Sequence, residues 1–99
     1  MGMLDFSAVN RAAQAVLPEL LHHWLPNGHQ QGTEWVALNP CRNDRRPGSF
    51  KINLRTGRWA DFATGDKGGD LISLLAYLRG VSQAEAACLL LRELRGLRR

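Results

Sequence analysis

An α+β fold is predicted by three features of this 99-residue chain. Apolar residues recur at helical spacing at both ends. Between those ends lie three short segments that alternate with period two. Clusters of Gly, Pro, Asn and Asp separate the segments. The expected architecture is one domain over 1–99, a small antiparallel sheet of three strands or slightly more, packed by N-terminal and C-terminal helices.

Asp5 can cap a helix over 6–17, with Leu4 and Val9 placed as a hydrophobic staple. Ala8, Val9, Ala12, Ala13 and Val16 form its packing stripe. Pro18 suits the first turn of a second helix over 18–24, which Pro26-Asn27-Gly28 stops. A strand follows over 33–38. Trp35 and Ala37 share one of its faces and Val36 and Leu38 the other, so it should be largely covered.

A hairpin comes next, with strands over 49–54 and 58–62. Arg55-Thr56-Gly57 is the tight turn, and Gly57 is free to take positive φ. Phe50, Ile52 and Leu54 should meet the core, with Ser49, Lys51 and Asn53 pointing away. On the second strand Ala60 and Phe62 share one face and Trp59 and Asp61 the other. This register puts Trp59 on the exposed, Lys51-bearing face, and a slip of one residue reverses the assignment.

Asp70 opens a helix, Leu71–Arg79, that is apolar nearly all round and should be the buried central helix, with Gly80 as its stop. Ser82 to Glu85 is a capping box with Val81 as staple. The last helix is expected over 83–95, with Ala86, Leu89, Leu90 and Leu94 facing the core and Gly96 ending it. Cys88, set among leucines, is expected in the core.

Composition bounds the function. With 44% apolar residues, one modest core is possible, and no nucleotide-processing catalytic domain fits beside these elements. The net charge of +4 and pI of about 9.8 favour a polyanionic partner, nucleic acid before an anionic membrane surface, although a solvated basic surface gives the same balance. Cys41 and Cys88 have no short spacing and are expected as free thiols in a reducing cytoplasm. No apolar run approaches the roughly 20 residues that span a bilayer, and the N-terminus does not resemble a signal peptide. A cytoplasmic protein is expected.

Residues 39–70 hold seven of the thirteen Lys and Arg residues. His22, His23 and His29, even with Cys41, match no zinc spacing and read as surface histidines. Gly65-Asp66-Lys67-Gly68-Gly69-Asp70 lacks the Gly-Lys-Ser/Thr ending of a phosphate loop, so its glycines read as turn and cap geometry. Asp61, Asp66 and Asp70 read as hydrated surface carboxylates rather than a magnesium site. No catalytic carboxylate pair or nucleophile cluster is evident, so the chain is not expected to be an enzyme by itself.

The ordered motifs of 28–91 resemble a known module. Gly32-Thr33-Glu34-Trp35-Val36-Ala37-Leu38-Asn39-Pro40-Cys41-Arg42 leads to Pro47-Gly48-Ser49-Phe50. Trp59-Ala60-Asp61-Phe62-Ala63-Thr64 then runs into Gly65-Asp66-Lys67-Gly68-Gly69-Asp70 and an apolar helix. The series is similar to the CHC2-type zinc-ribbon domain of bacterial DNA primases. The resemblance implies a zinc-ribbon-like sheet and places the four ligand positions at Asn39, Arg42, Asp61 and Thr64. Zinc is held by thiolate or imidazole, and these four residues are poor ligands. A degenerate, zinc-free ribbon with no cofactor is therefore expected. A structural zinc can contribute ~10 kcal/mol to such a fold, so something must replace it. Pairing of Asp61 with Arg42 or Arg58, with packing of Trp35, Trp59 and Phe62, could do so.

In that family the ribbon helps to recognise single-stranded template and works with a separate catalytic domain. The resemblance thus implies a template-recognition domain or accessory subunit of a DNA primase or replication protein. Arg45, Arg46, Lys51, Arg55, Arg58 and Lys67 would follow phosphates and Trp59 would stack a base. The plain alternatives are a solvated hairpin surface for the cations, and core packing or zinc replacement for Trp59. Single-stranded DNA and a polymerase, primase catalytic domain or helicase are the expected partners, with no membrane. The alternative function is a protein-interaction module that docks a polymerase or helicase without binding DNA. Arg92, Arg95, Arg98 and Arg99 form a basic C-terminal end that also suits the helix dipole.

Overall fold

The computed structural model describes residues 5–43, 45 and 48–97. Leu4, Arg46, Arg98 and Arg99 lie outside the described residues. The chain is α+β, and the described residues form four helices and an open five-stranded sheet. The elements are α1 (Phe6–Gln14), α2 (Glu19–Trp24), β1 (His29–Gln31), β2 (Glu34–Ala37), β3 (Phe50–Asn53), β4 (Trp59–Asp61), β5 (Lys67–Gly68), α3 (Leu71–Arg79) and α4 (Gln83–Leu97). The sheet is an antiparallel meander in chain order. It has five strands where three or slightly more were expected. His29-Gln30-Gln31 is polar and exposed throughout, so it carries no alternation to read. Lys67-Gly68 is too short to show a period.

The helix starts follow local chemistry. Asp5 Oδ1 accepts from the Ala8 amide and caps α1. Asp70 Oδ1 accepts from the Ser73 amide, and Ser73 Oγ answers the Asp70 backbone, so α3 begins in a capping box. Ser82 Oγ accepts from the Glu85 amide at the start of α4. Gly80 ends α3 in the left-handed region. Two ends differ from expectation. Helix α1 stops at Gln14, short of 17, where the Val16 and Leu17 amides turn to the carbonyls three residues back, Ala13 and Gln14, in tighter turns. Helix α4 runs through Gly96 to Leu97. The cost of an interior glycine, about 1 kcal/mol, is met by the packing of Leu94 and Leu97 on either side of it.

Helix α3 buries Leu71, Ile72, Leu74 and Leu75, and α4 adds Ala86, Ala87, Leu90 and Leu94. Cys88 is exposed, which corrects the core assignment. It sits two residues, about 200° of helical turn, from both Ala86 and Leu90 and so faces away from them. The sheet contributes Trp35, Ala37, Phe50, Ile52 and Trp59 to the same core. Asn10 ties α1 to the start of α3, donating to Asp70 Oδ2 and accepting from the Ile72 amide. Among the described residues, no single helix is long and apolar enough to cross a membrane.

Register decides which sheet face meets the helices. Trp35 pairs with Ile52, Ile52 with Trp59, and Trp59 with Gly68. Residues directly opposite each other share a face. Trp59 is therefore on the core side, which reverses the assignment that exposed it. A side chain at position 68 would run into the Trp59 indole and the Ser73 hydroxyl, so glycine is needed where β5 crosses Trp59. Gly57 takes φ +78° in the β3–β4 turn, as its place in the hairpin requires.

Candidate nucleic-acid interface

The outer face of the sheet is built from the residues that alternate with the core set. Lys51 pairs with Ala60, Ala60 with Lys67, and Glu34 with Asn53. Arg58 precedes Trp59 and Phe62 follows Asp61, so both lie on this outer side. Together Glu34, Lys51, Asn53, Arg58, Ala60, Phe62 and Lys67 line a concavity of 590 Å³, floored in part by Trp59 and the Gly68-Gly69 backbone. Phe62 is 72% exposed, the one large apolar side chain left in water among the described residues. The Lys51 ammonium lies 6.0 Å from its ring centroid. That is at the outer limit of a cation–π contact.

The expected cations divide into groups. Lys51, Arg58 and Lys67 come together on this face. Arg55 is exposed in the β3–β4 turn and Arg45 in the loop before β3, and neither lines the concavity. Arg46 lies outside the described residues. Trp59, expected as the stacking ring, is 5% exposed, and its Nε1 donates to Ser73 Oγ at 3.0 Å. Its ring packs against Phe50 and Tyr77. Phe62 occupies the position that Trp59 was expected to fill. The signal that could have found it was the alternation itself, which left Phe62 opposite Trp59 in either register.

Beneath the end of the sheet lies a polar joint. Asp61 is fully buried. Its carboxylate accepts from Arg42 Nε at 2.7 Å, Arg42 Nη2 at 3.3 Å, Asn39 Nδ2 at 2.8 Å and the Ala63 amide at 2.9 Å. Burial alone would push this carboxyl up. The donations from Arg42, Asn39 and Ala63, with the guanidinium charge, outweigh burial and hold it well below the usual carboxylate range. Arg42 also donates to Ser49 Oγ, and Asn39 Oδ1 accepts from the Cys41 amide.

Tyr77, which the sequence did not single out, extends the joint into α3. Its hydroxyl accepts from Asn39 Nδ2 at 2.8 Å and donates to Asp66 Oδ2 at 2.8 Å. Burial, reinforced by Asp66, pushes the phenol up, and it does the same to the Cys41 thiol. No protein-family model, curated protein or solved structure matches this chain. The reading of the site therefore rests on its own geometry.

Three of the four positions equated with zinc ligands, Asn39, Arg42 and Asp61, converge. Thr64 does not. Its hydroxyl accepts from the Asp66 amide within the turn. The Cys41 thiol turns to the Tyr77 carbonyl, 3.4 Å away. The Arg42 guanidinium sits beside Asp61, and a cationic donor cannot ligate zinc. Among the described residues, no three His, Cys, Asp or Glu side chains are arranged to hold a metal ion. Phe62 takes no part in the joint, contrary to the expected packing. Trp35 is buried as expected, and Trp59 is buried too, which fits the packing alternative and not the exposed stacking role. Asp61, Asp66 and Asp70 are each engaged by different partners, so they are neither a shared cation site nor three free surface carboxylates.

Proposed function

We propose that this chain is a zinc-free, ribbon-like domain that binds single-stranded DNA. It would serve template recognition in a primase-like replication protein and work with a separate catalytic domain. One observation carries the reading. An exposed aromatic ring, Phe62, shares an open concave sheet face with three cations that form no ion pair with any described residue. Single-strand binders combine flat rings that stack bases with cations that track phosphates. The Asn39–Arg42–Asp61 joint supports the comparison with a metal-bearing ribbon, because it links the loop after β2 to the end of β4, as a metal would.

The chemistry of the face gives it a binding role. Lys51, Arg58 and Lys67 meet phosphates, and Phe62 stacks a base. The face carries no paired carboxylates, and Glu34 is the one acidic side chain among the described residues that line it. The test is fluorescence anisotropy with a labelled thymine tract. Binding should weaken steeply with salt, and Phe62→Ala with Lys51→Ala should abolish it at moderate salt. A flat titration at low salt would sink the reading. It would favour the alternative, a module that docks a polymerase or helicase. The groove between α1 and α4, lined by Ala12, Ala15, Val16, Leu91, Leu94, Arg95 and Leu97, is the surface that favours that second reading.

A further inference from the structure

We infer that Glu34 makes the outer sheet face selective for an unpaired guanine, an inference that rests on the single-strand reading above. Glu34 is the one carboxylate among the described side chains that line the concavity. It is half-buried and has no ion pair or side-chain hydrogen bond with any described residue, although Lys51, Arg58 and Lys67 line the same space. The amide of its cross-strand neighbour Asn53 does not reach it either. Asn53 Oδ1 is held by the Arg55 and Thr56 amides of the turn.

A carboxylate on a surface meant for phosphates repels its ligand unless it meets a donor. An ionised carboxylate only accepts hydrogen bonds. Phosphates and furanose oxygens of DNA also only accept. The donors DNA can offer are the N–H groups of its bases. Guanine alone presents two adjacent N–H groups, N1–H and N2–H, on one edge, and they match the two oxygens of a carboxylate. Adenine and cytosine each present an amino group and thymine a single imino N–H. In a duplex the guanine N–H groups are spent on the paired cytosine. Glu34 thus reads an edge that exists only in unpaired strand, the mode by which splayed bases are read elsewhere.

The base read by Glu34 is not the one stacked on Phe62. Glu34 pairs with Asn53, whereas the Phe62 amide bonds to the Ser49 carbonyl. Asn53 in β3 and Ser49 just before it are four residues apart, roughly 13 Å along the chain. Lys51 lies between them. A strand laid across the face would stack one base at Phe62, pass its backbone by Lys51, and present a second base to Glu34.

The experiment compares thymine tracts that carry one central guanine, inosine or adenine. Inosine keeps N1–H and lacks the N2 amino group, so it removes one of the two bonds. The guanine strand should bind about tenfold tighter than the adenine strand, with inosine between them. Glu34→Gln should erase the ranking and leave the all-thymine tract bound at least as tightly. Salt-dependent binding with equal affinity for all three strands in the unaltered protein would overturn the inference and leave the single-strand reading intact. No binding to any strand would overturn both.

Discussion

The Arg42 guanidinium and the Asp61 carboxylate meet at 2.7 Å, with the carboxylate fully buried. A buried ion pair is not strong merely because its charges are close, since both must be taken out of water. Its effect here is to fix geometry. Arg42 belongs to the loop after β2 and Asp61 to β4, so the pair joins segments that the β3 strand would otherwise hold apart. Removing one partner leaves the other charge buried. Asp61→Asn and Arg42→Ala should each lower stability by about 3 kcal/mol in urea titrations. The double substitution should cost clearly less than the sum of the two, because the second loses a partner already gone.

The same pair sets an acid limit. The Asp61 carboxyl is depressed below its ordinary value of 3.8 in the folded state. Its contribution is complete above the unfolded value, and it declines as pH falls below that and through the folded value. The unaltered protein should therefore lose stability from about pH 4 downward. Asp61→Asn should show a flatter profile over that range. Parallel slopes for the two proteins would mean that other carboxylates govern acid unfolding.

Tyr77 offers a milder test of the joint. Tyr77→Phe keeps the ring against Trp59 and removes only the hydroxyl between Asn39 and Asp66. Stability should fall by about 1–2 kcal/mol, mostly because the buried Asn39 amide loses a partner. Thermal denaturation of the variant measures it.

Phe62 and Trp59 should separate binding from folding. Phe62→Ala should leave stability within about 0.5 kcal/mol, since the ring is already in water. It should weaken single-strand binding by about 1–3 kcal/mol. Trp59→Ala should cost about 3–5 kcal/mol of stability by opening the core beneath the same face. If Phe62→Ala destabilises the fold while binding is unchanged, the stacking assignment fails.

The cations should act through salt. With Lys51, Arg58 and Lys67 each meeting a phosphate, the slope of log affinity against log salt should be about −2 for a single strand. Lys67→Ala should reduce its magnitude by about 0.7. An unchanged slope in that variant would remove Lys67 from the contact set.

Local chemistry made several elements readable. The Asp70 cap, the span of α3 and the Gly80 stop depend on neighbours within one turn, and the sequence shows all of them. The turn at Gly57 is readable for the same reason. The two outer strands were not. β1 is polar and β5 is two residues long, and both exist because a neighbouring strand offers its free edge.

The candidate face was half legible. Alternation named Lys51 as outward but could not choose between Trp59 and Phe62, because both faces of β4 carry a large ring. Hydrophobicity alone would have buried Ala60 and Phe62 and exposed Asp61. The opposite happened because the buried side offers each polar atom a partner. Ser73 accepts from the Trp59 indole, and Arg42 and Asn39 donate to Asp61.

By itself, then, the order of residues determined the α+β class, the helix caps, the central buried helix and the basic hairpin, all of which depend on contacts within a few positions. Only the tertiary structure decided which side of β4 faces water. That choice rests on hydrogen-bond partners 14, 19 and 22 residues away in the chain, which no local pattern can reveal.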